Sequence, residues 1–248
     1  AGAVFIALRT TDSGDCLLSY ASSVTDNEYW FYRSENVNTY IGANNDGSGV
    51  SYNDGSWKMF THQWRSSDGR LLIHLNGNEE YSTSHQAGYT LNSNGTIAIG
   101  GEQDGLNSGY DANQDYDGDI AELIIYGSSL QQAQRTVIEN YLAEKYGLNG
   151  NLPYDYYVPD ESSYTSDLTG MGRESDGITD ASCKGLVITQ NGGFENGEYI
   201  LAAHDGTDNS INTSPNVTDS EVEATWQRDW YLDTTGTVNA NLAFDMSE

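Results

Sequence analysis

Cysteine is almost missing from this chain of 248 residues, where Cys16 and Cys183 stand alone and far apart. Two thiols cannot build a disulfide framework and match no metal spacing, which excludes a small stapled scaffold and a thiolate metal site. Two separate free thiols fit best, with one long-range bridge as the alternative. Basic residues are scarce as well: 10 Lys and Arg face 37 Asp and Glu, for a formal net charge of −27. Phosphate backbones are held by clustered Lys and Arg, so nucleic acid is excluded as a partner, and anionic membranes are repelled. No apolar run approaches the roughly 20 residues of a membrane span, and no leader peptide opens the chain, so direct membrane insertion is not expected. The chain instead begins in a strand-like run at Ala1 and stops just after another, Val238 to Phe244. That is how a piece of a longer multidomain protein would look.

Proline is rare (3), while Gly (27) and Tyr (18) are abundant. The mix suits a β-rich, turn-rich globular protein. Short apolar runs recur through the first 126 residues: Val4 to Leu8, Leu17 to Tyr20, Tyr29 to Arg33, Thr39 to Ile41, Met59 to Trp64, Leu71 to Leu75, Thr96 to Ile99 and Ile120 to Tyr126. Asp68-Gly69 and Asn76-Gly77 are tight-turn dipeptides on either side of a strand. Strands at this spacing predict an all-β sandwich. One helix interrupts them. Leu130, Ala133, Val137, Ile138, Tyr141 and Leu142 recur at helical spacing, with a capping box at Ser128/Gln131 or Ser129/Gln132 and a stop at Gly147. Such a helix is expected against the sandwich edge. Composition shifts after Pro153. Residues 1–150 read as one domain, 151–159 as a linker and 160–248 as a second, smaller β-rich domain, incomplete at its C-terminus.

The acidity has two readings. Either the surface is simply solvated and salt-adapted, or carboxylates gather around a hard cation. Local clustering favours the second. Asp26-Asn27 stands at the start of a strand, Glu102-Gln103-Asp104 follows another, and Asp111 to Asp119 holds further carboxylates. If the strands at 29–33 and 96–100 approach, four to six acidic side chains converge, and a calcium ion wanting about 6–8 oxygens would relieve their repulsion. An EF-hand is not expected from Asn113 to Ile124, since Ile124 stands where the bidentate Glu belongs and the flanks are strand-like.

Leu18-Ser-Tyr-Ala21 before Asp26-Asn27-Glu28, Trp64 before Arg70-Leu-Leu-Ile-His-Leu-Asn-Gly77, and Ile99-Gly-Gly-Glu102-Gln-Asp104 before Gly118-Asp-Ile120 resemble the pentraxin and laminin-G family. The resemblance spans about residues 3–150 and implies a concanavalin A-like jelly-roll β-sandwich. It also implies calcium, as two ions held by Asp26, Asn27, Glu102, the carbonyl of Gln103, Asp104, Asp111 and Gln114. Asp111 stands where pentraxins usually carry Glu. Neither cysteine falls where pentraxins place their disulfide. The apolar positions of the family's phosphocholine pocket align with Trp30, Tyr32 and Tyr40. The choline-binding Glu has no clear match, Asn45 being nearest, so phosphocholine is not the expected ligand. By period-two alternation Trp30 and Tyr32 share a face with Asp26, where aromatic rings beside a calcium suit a sugar. The bland alternative makes them core residues. The second half is similar to a β domain found after laminin-G-like modules in bacterial surface proteins, through Thr169-Gly-Met-Gly-Arg173-Glu and Trp226-Gln-Arg228-Asp-Trp230. Arg173 and Arg228 are expected as ion-pair partners.

Catalytic signatures are missing: no Glu-x-Asp-x-x-Glu, no Gly-x-Ser-x-Gly elbow, no phosphate loop, and no zinc spacing among His62, His74, His85 and His204, each expected on the surface or in a strand. The chain is therefore read as a lectin rather than an enzyme. It would be an extracellular calcium-dependent module of a bacterial cell-surface adhesin that binds vicinal-diol sugars, such as fucose-containing glycans. A calcium-rigidified spacer and a glycoside hydrolase are the rivals.

Overall fold

The structure, a computed structural model, describes residues 1–160, 163–179, 181–183, 186–207, 211–212, 225–226 and 228–244. It divides into two compact units, Ala1–Leu130 and Gln131–Glu248. The strands of the first are β1 (Gly2–Thr10), β2 (Cys16–Ala21), β3 (Tyr29–Tyr32), β4 (Asn38–Ile41), β5 (Asn44–Gly47), β6 (Lys58–Trp64), β7 (Arg70–Leu75), β8 (Asn78–Ser84), β9 (Thr96–Ile99), β10 (Gln103–Gly105), β11 (Ser108–Tyr110) and β12 (Gly118–Tyr126). Two five-stranded sheets result, ordered β12-β1-β6-β7-β8 and β5-β4-β3-β2-β9. The chain crosses between them after β1 and after β5 and returns twice more, the wrap of a jelly-roll sandwich. Asn76 and Gly77 both take positive φ, 50° and 77°, in the turn from β7 to β8, the geometry that matches strand twist in a two-residue hairpin.

Alternation decides which side chains meet. Val4, Ile6 and Leu8 of β1, Phe60 and Trp64 of β6, and Leu71 and Ile73 of β7 face Leu18 of β2, Tyr29 and Phe31 of β3, and Ile41 of β4 in one buried core. Each fully buried aliphatic or aromatic side chain there contributes about 1.5–3 kcal/mol. His62 sits among them: the Tyr29 hydroxyl meets its Nδ1 at 2.7 Å and the Thr39 hydroxyl its Nε2 at 2.9 Å. Burial pushes this imidazole down to about 3. All four histidines are buried; His62, His74 and His204 lie in strands, as expected, and His62, His85 and His204 hydrogen-bond inside the fold.

The second unit holds α1 (Gln132–Tyr146), β13 (Ser166–Glu174), β14 (Gly177–Thr179), β15 (Ala181–Cys183), β16 (Leu186–Gln190), β17 (Glu198–His204), β18 (Ile211–Asn212), β19 (Thr225–Trp226), β20 (Trp230–Thr235) and β21 (Ala240–Phe244). Its sheets are β14-β13-β17-β20, β15-β16-β21 and β18-β19. Helix α1 packs its apolar stripe within this unit, where Ala133, Val137 and Tyr141 meet Tyr157, Leu168, Tyr199 and Leu201, and the break between the two compact units falls after Leu130. It also starts later than Ser128 or Ser129. Gln131 is the cap, its N–H donating to Gln134 Oε1 at 3.0 Å, while the Asp176 carboxylate takes the N–H of Gln132 at 3.0 Å. Two carboxylate or amide oxygens do here what a serine hydroxyl would do alone. Gly147 ends the helix at φ 64°, as predicted.

Arg173 and Arg228 donate to backbone oxygens, of Phe194 at 3.0 Å and Thr207 at 3.1 Å. Neither enters a salt bridge among the described residues. Cys16 is free and buried. The side chains of Cys183 and Trp226, residue Gln227, and most of the stretch from Asp205 to Asp219 lie outside the described residues. Among those described, no helix is long and apolar enough to cross a membrane.

Candidate functional site

The outer face of the second sheet carries the row Ser19, Trp30, Tyr40 and Asn45, paired in register across β2, β3, β4 and β5. Trp30 and Tyr32 project opposite to the core residues Tyr29 and Phe31 because strand side chains alternate. Their rings stack at 4.2 Å and 17°, and Tyr40 lies 4.7 Å from Trp30. Trp30 is nonetheless only 5% exposed, so it underlies the platform that Tyr32 and Tyr40 present.

Three backbone bonds bring the acidic segments to this face. Gly100 turns the chain out of β9 at φ 76°, a conformation that favours glycine. Its N–H donates to Leu17 O at 3.0 Å and its carbonyl accepts Tyr116 N–H at 3.1 Å, while Cys16 N–H donates to Gln114 O at 2.8 Å. The loop from Asp111 to Tyr116 is thereby laid over the segment Gly101 to Asp104. Gln103 anchors the latter from below. Its buried amide donates to Ser19 Oγ at 3.2 Å and Thr96 O at 3.1 Å, and accepts from Thr96 Oγ1 at 2.7 Å and Asn107 N–H at 3.1 Å.

Carboxylate oxygens of Glu102, Asp104 and Asp111 lie within 4.8 Å of one another. At such separations a pair of bare charges repels by up to about 4 kcal/mol at a protein surface and about 1 in open water. Burial, then the charges of Asp104, Asp26 and Asp111, push Glu102 up to about 7. Three oxygens nearby are buried without any hydrogen-bond partner: Asn27 Oδ1, Glu102 Oε2 and Gln114 Oε1. Buried acceptors are rarely left so. All three residues line one cleft of about 440 Å³, with Asp104, Trp30, Tyr32 and Tyr40. An oxygen-rich set of carboxylates and amide carbonyls suits a hard divalent cation.

Most of the expected site residues thus meet. Asp26 reaches the group through Asn27 and its field on Glu102, although it precedes β3 and is not placed there by strand alternation. Asn45 does not line the cleft; it is exposed one strand beyond Tyr40. Gly14, Arg33 and Asn113 line the cleft without having been anticipated as site residues. Alternation would send Arg33 inward with Phe31, but β3 ends at Tyr32 and Arg33 turns out at φ 68°.

Residues 4–152 match the Pentaxin family. The chain belongs to the pentaxin family. Rat (Rattus norvegicus) serum amyloid P-component is 30% identical over 128 residues, which are 51% of this chain and 56% of that protein. C-reactive protein of Mesocricetus auratus is 28% identical over 163 residues, 60% of this chain and 71% of its own. The chain thus spans little more than half the length of the rat relative. In fold it is similar to the native heptameric SAP-like pentraxin of Limulus polyphemus, with a TM-score of 0.50 and 22% identity over 56% of this chain and 69% of that one.

Proposed function

We propose that residues 1–150 form a calcium-dependent sugar-binding module and that the chain acts by binding rather than by catalysis. The observation that carries this is the trio of buried, unpartnered oxygens on Asn27, Glu102 and Gln114 beside the carboxylates of Asp104 and Asp111. Asp26, Asn27, Glu102, the Gln103 carbonyl, Asp104, Asp111 and Gln114 supply seven donors. Shared carboxylates would let them hold two calcium ions, each completing its sphere with outside oxygens. When bound, calcium supplies open coordination positions for vicinal hydroxyls of a glycan, fucose-containing ones included. Tyr32 and Tyr40 offer ring faces to the sugar's C–H surface.

The family match runs to residue 152, past the end of the first compact unit, so α1 belongs to the module in sequence while its apolar stripe packs within the second unit. Residues 160–248 would form a second β domain of an extracellular bacterial adhesin. Retention on immobilised glycans in calcium, reversed by chelator with the sugar left intact, tests the function. Retention unchanged by chelator excludes the mechanism. New reducing ends would mark a hydrolase, and chelator-sensitive melting without any retention a spacer. Asp104→Ala abolishes the calcium-dependent part.

A further inference from the structure

A second cleft shares no lining residue with the carboxylate cleft. It has a volume of about 310 Å³ and lies among Arg9 and Thr11 at the end of β1, Gly55 in the loop before β6, and Asp117 and Asp119 at the start of β12. Backbone contacts pin these three walls together. Gly55 N–H donates to Thr10 O at 2.9 Å, and Thr10 Oγ1 donates to Asp117 O at 2.6 Å. Gly118 keeps the approach close, since a Cβ there would collide with Arg9 O and Thr10 Cβ.

The loop from Asp54 to Lys58 is tied down. Asp54 Oδ1 accepts the N–H and the hydroxyl of Ser56 at 2.9 and 2.6 Å, and Asp54 Oδ2 pairs with Lys58 Nζ at 2.7 Å. This loop presents Trp57, which is 36% exposed, whereas Trp30 and Trp64 are buried. Arg9 is clamped from two sides. Its Nε donates to Asp119 Oδ2 at 2.7 Å, and its guanidinium carbon lies 5.1 Å from the centre of the Trp57 ring. The Arg9 Nη groups, the Trp57 indole N–H, the Thr11 hydroxyl and the Asp117 carboxylate make no hydrogen bond among the described residues.

Prepared donors and acceptors therefore stand together beside an exposed indole. Asp117 and Asp119 disfavour an anion there, and Arg9 disfavours a cation. A neutral polyol fits both sets, because each hydroxyl can donate and accept while C–H faces pack on the aromatic ring. We infer that this cleft is a second carbohydrate site, one that takes a neutral sugar and needs no calcium. It borrows no residue from the first cleft and stands or falls apart from the function proposed above.

The test passes the whole chain over immobilised neutral oligosaccharides of glucose, galactose, mannose and xylose in chelator. At least one should be retained. Trp57→Ala should weaken that retention at least about tenfold, and Trp57→Phe should recover part of it. Asp117→Asn should weaken it about threefold while leaving every fold contact named above in place, so the site is tested even where Trp57→Ala disturbs its loop. Asp104→Ala should leave it unchanged. Retention of none of these sugars in chelator overturns the inference. So does retention that survives both Trp57→Ala and Asp117→Asn, which would make Trp57 a cap on a surface ion pair. Calcium-dependent retention of Trp57→Ala is measured separately and bears only on the first cleft.

Discussion

The side-chain amide of Asn27 donates to Asp26 Oδ1 at 3.1 Å, and the backbone N–H of Asn27 donates to the same oxygen at 2.8 Å. One carboxylate oxygen thus fixes which way the amide faces, and leaves the side-chain oxygen Oδ1 of Asn27 buried without a partner. An acceptor prepared this way has already lost its water. It binds a cation without a further desolvation penalty, which is the difference between a preorganised ligand and an exposed acidic patch.

Calcium should therefore stabilise the protein. At about 100 times the dissociation constant the gain is about 2.7 kcal/mol, a rise of roughly 5–10 °C in melting temperature. Asn27→Ala removes one prepared oxygen and should weaken calcium at least about tenfold. Scanning fluorimetry across a calcium titration measures both. A melting temperature indifferent to calcium and chelator would remove the metal from the account.

Gln103 ties the β10–β11 hairpin to β2 and β9 through Ser19 and Thr96. Gln103→Leu keeps the bulk but leaves several buried groups unpaired, at a cost of about 2–4 kcal/mol. Because the carbonyl at this position is a proposed ligand, calcium affinity should fall as well, and saturating calcium should recover part of the lost melting temperature. A variant as stable as the parent without calcium would mean the amide network does not hold the site.

Much of this was legible in residue order, for physical reasons. Period-two runs such as Tyr29-Trp-Phe-Tyr32 announce both strand and face, and Asn76-Gly77 announces its turn. Acidic residues distant in sequence were grouped by the resemblance to the pentraxin family, since spacing alone says only that they converge if their strands approach. What escaped depends on single torsions and on competition between cores. Arg33 was hidden by a left-handed residue at a strand end. The start of α1 was missed because its caps come from Gln134 and from Asp176, the latter 44 residues away. Its packing partner was missed because an apolar stripe does not say which core it joins. Asn45 stays outside the cleft because a position in register on a face need not reach the hollow beside it.

Tyr32→Ala should weaken glycan retention while leaving calcium affinity unchanged, since Tyr32 contributes a ring and no ligand oxygen. The expected loss is about 1 kcal/mol, roughly fivefold in affinity. Tyr32 also covers Trp30, so Tyr32→Leu, which restores cover without a ring, separates stacking from support. Equal losses of sugar and calcium binding in Tyr32→Ala would refute the stacking role.

His62 gives a prediction with a definite sign. Its imidazole is pushed down to about 3 by burial, with His85 adding a smaller repulsion, whereas in the unfolded chain it titrates near the ordinary value of about 6.5. Between those values the unfolded state binds the extra proton, so acid favours unfolding. The contribution of neutral His62 is complete above about pH 6.5 and falls by up to about 1.4 kcal/mol per pH unit below it. His62→Gln cannot take up that proton. It should be less stable at about pH 7.5 by about 1–3 kcal/mol, because the Tyr29 and Thr39 hydroxyls lose well-placed partners. Its stability should then decline less between about pH 6.5 and about pH 5 than that of the parent. Urea unfolding of both proteins in chelator, at matched ionic strength across this range, isolates the effect from the metal. Parallel stability profiles would show that the core imidazole is not what acid attacks.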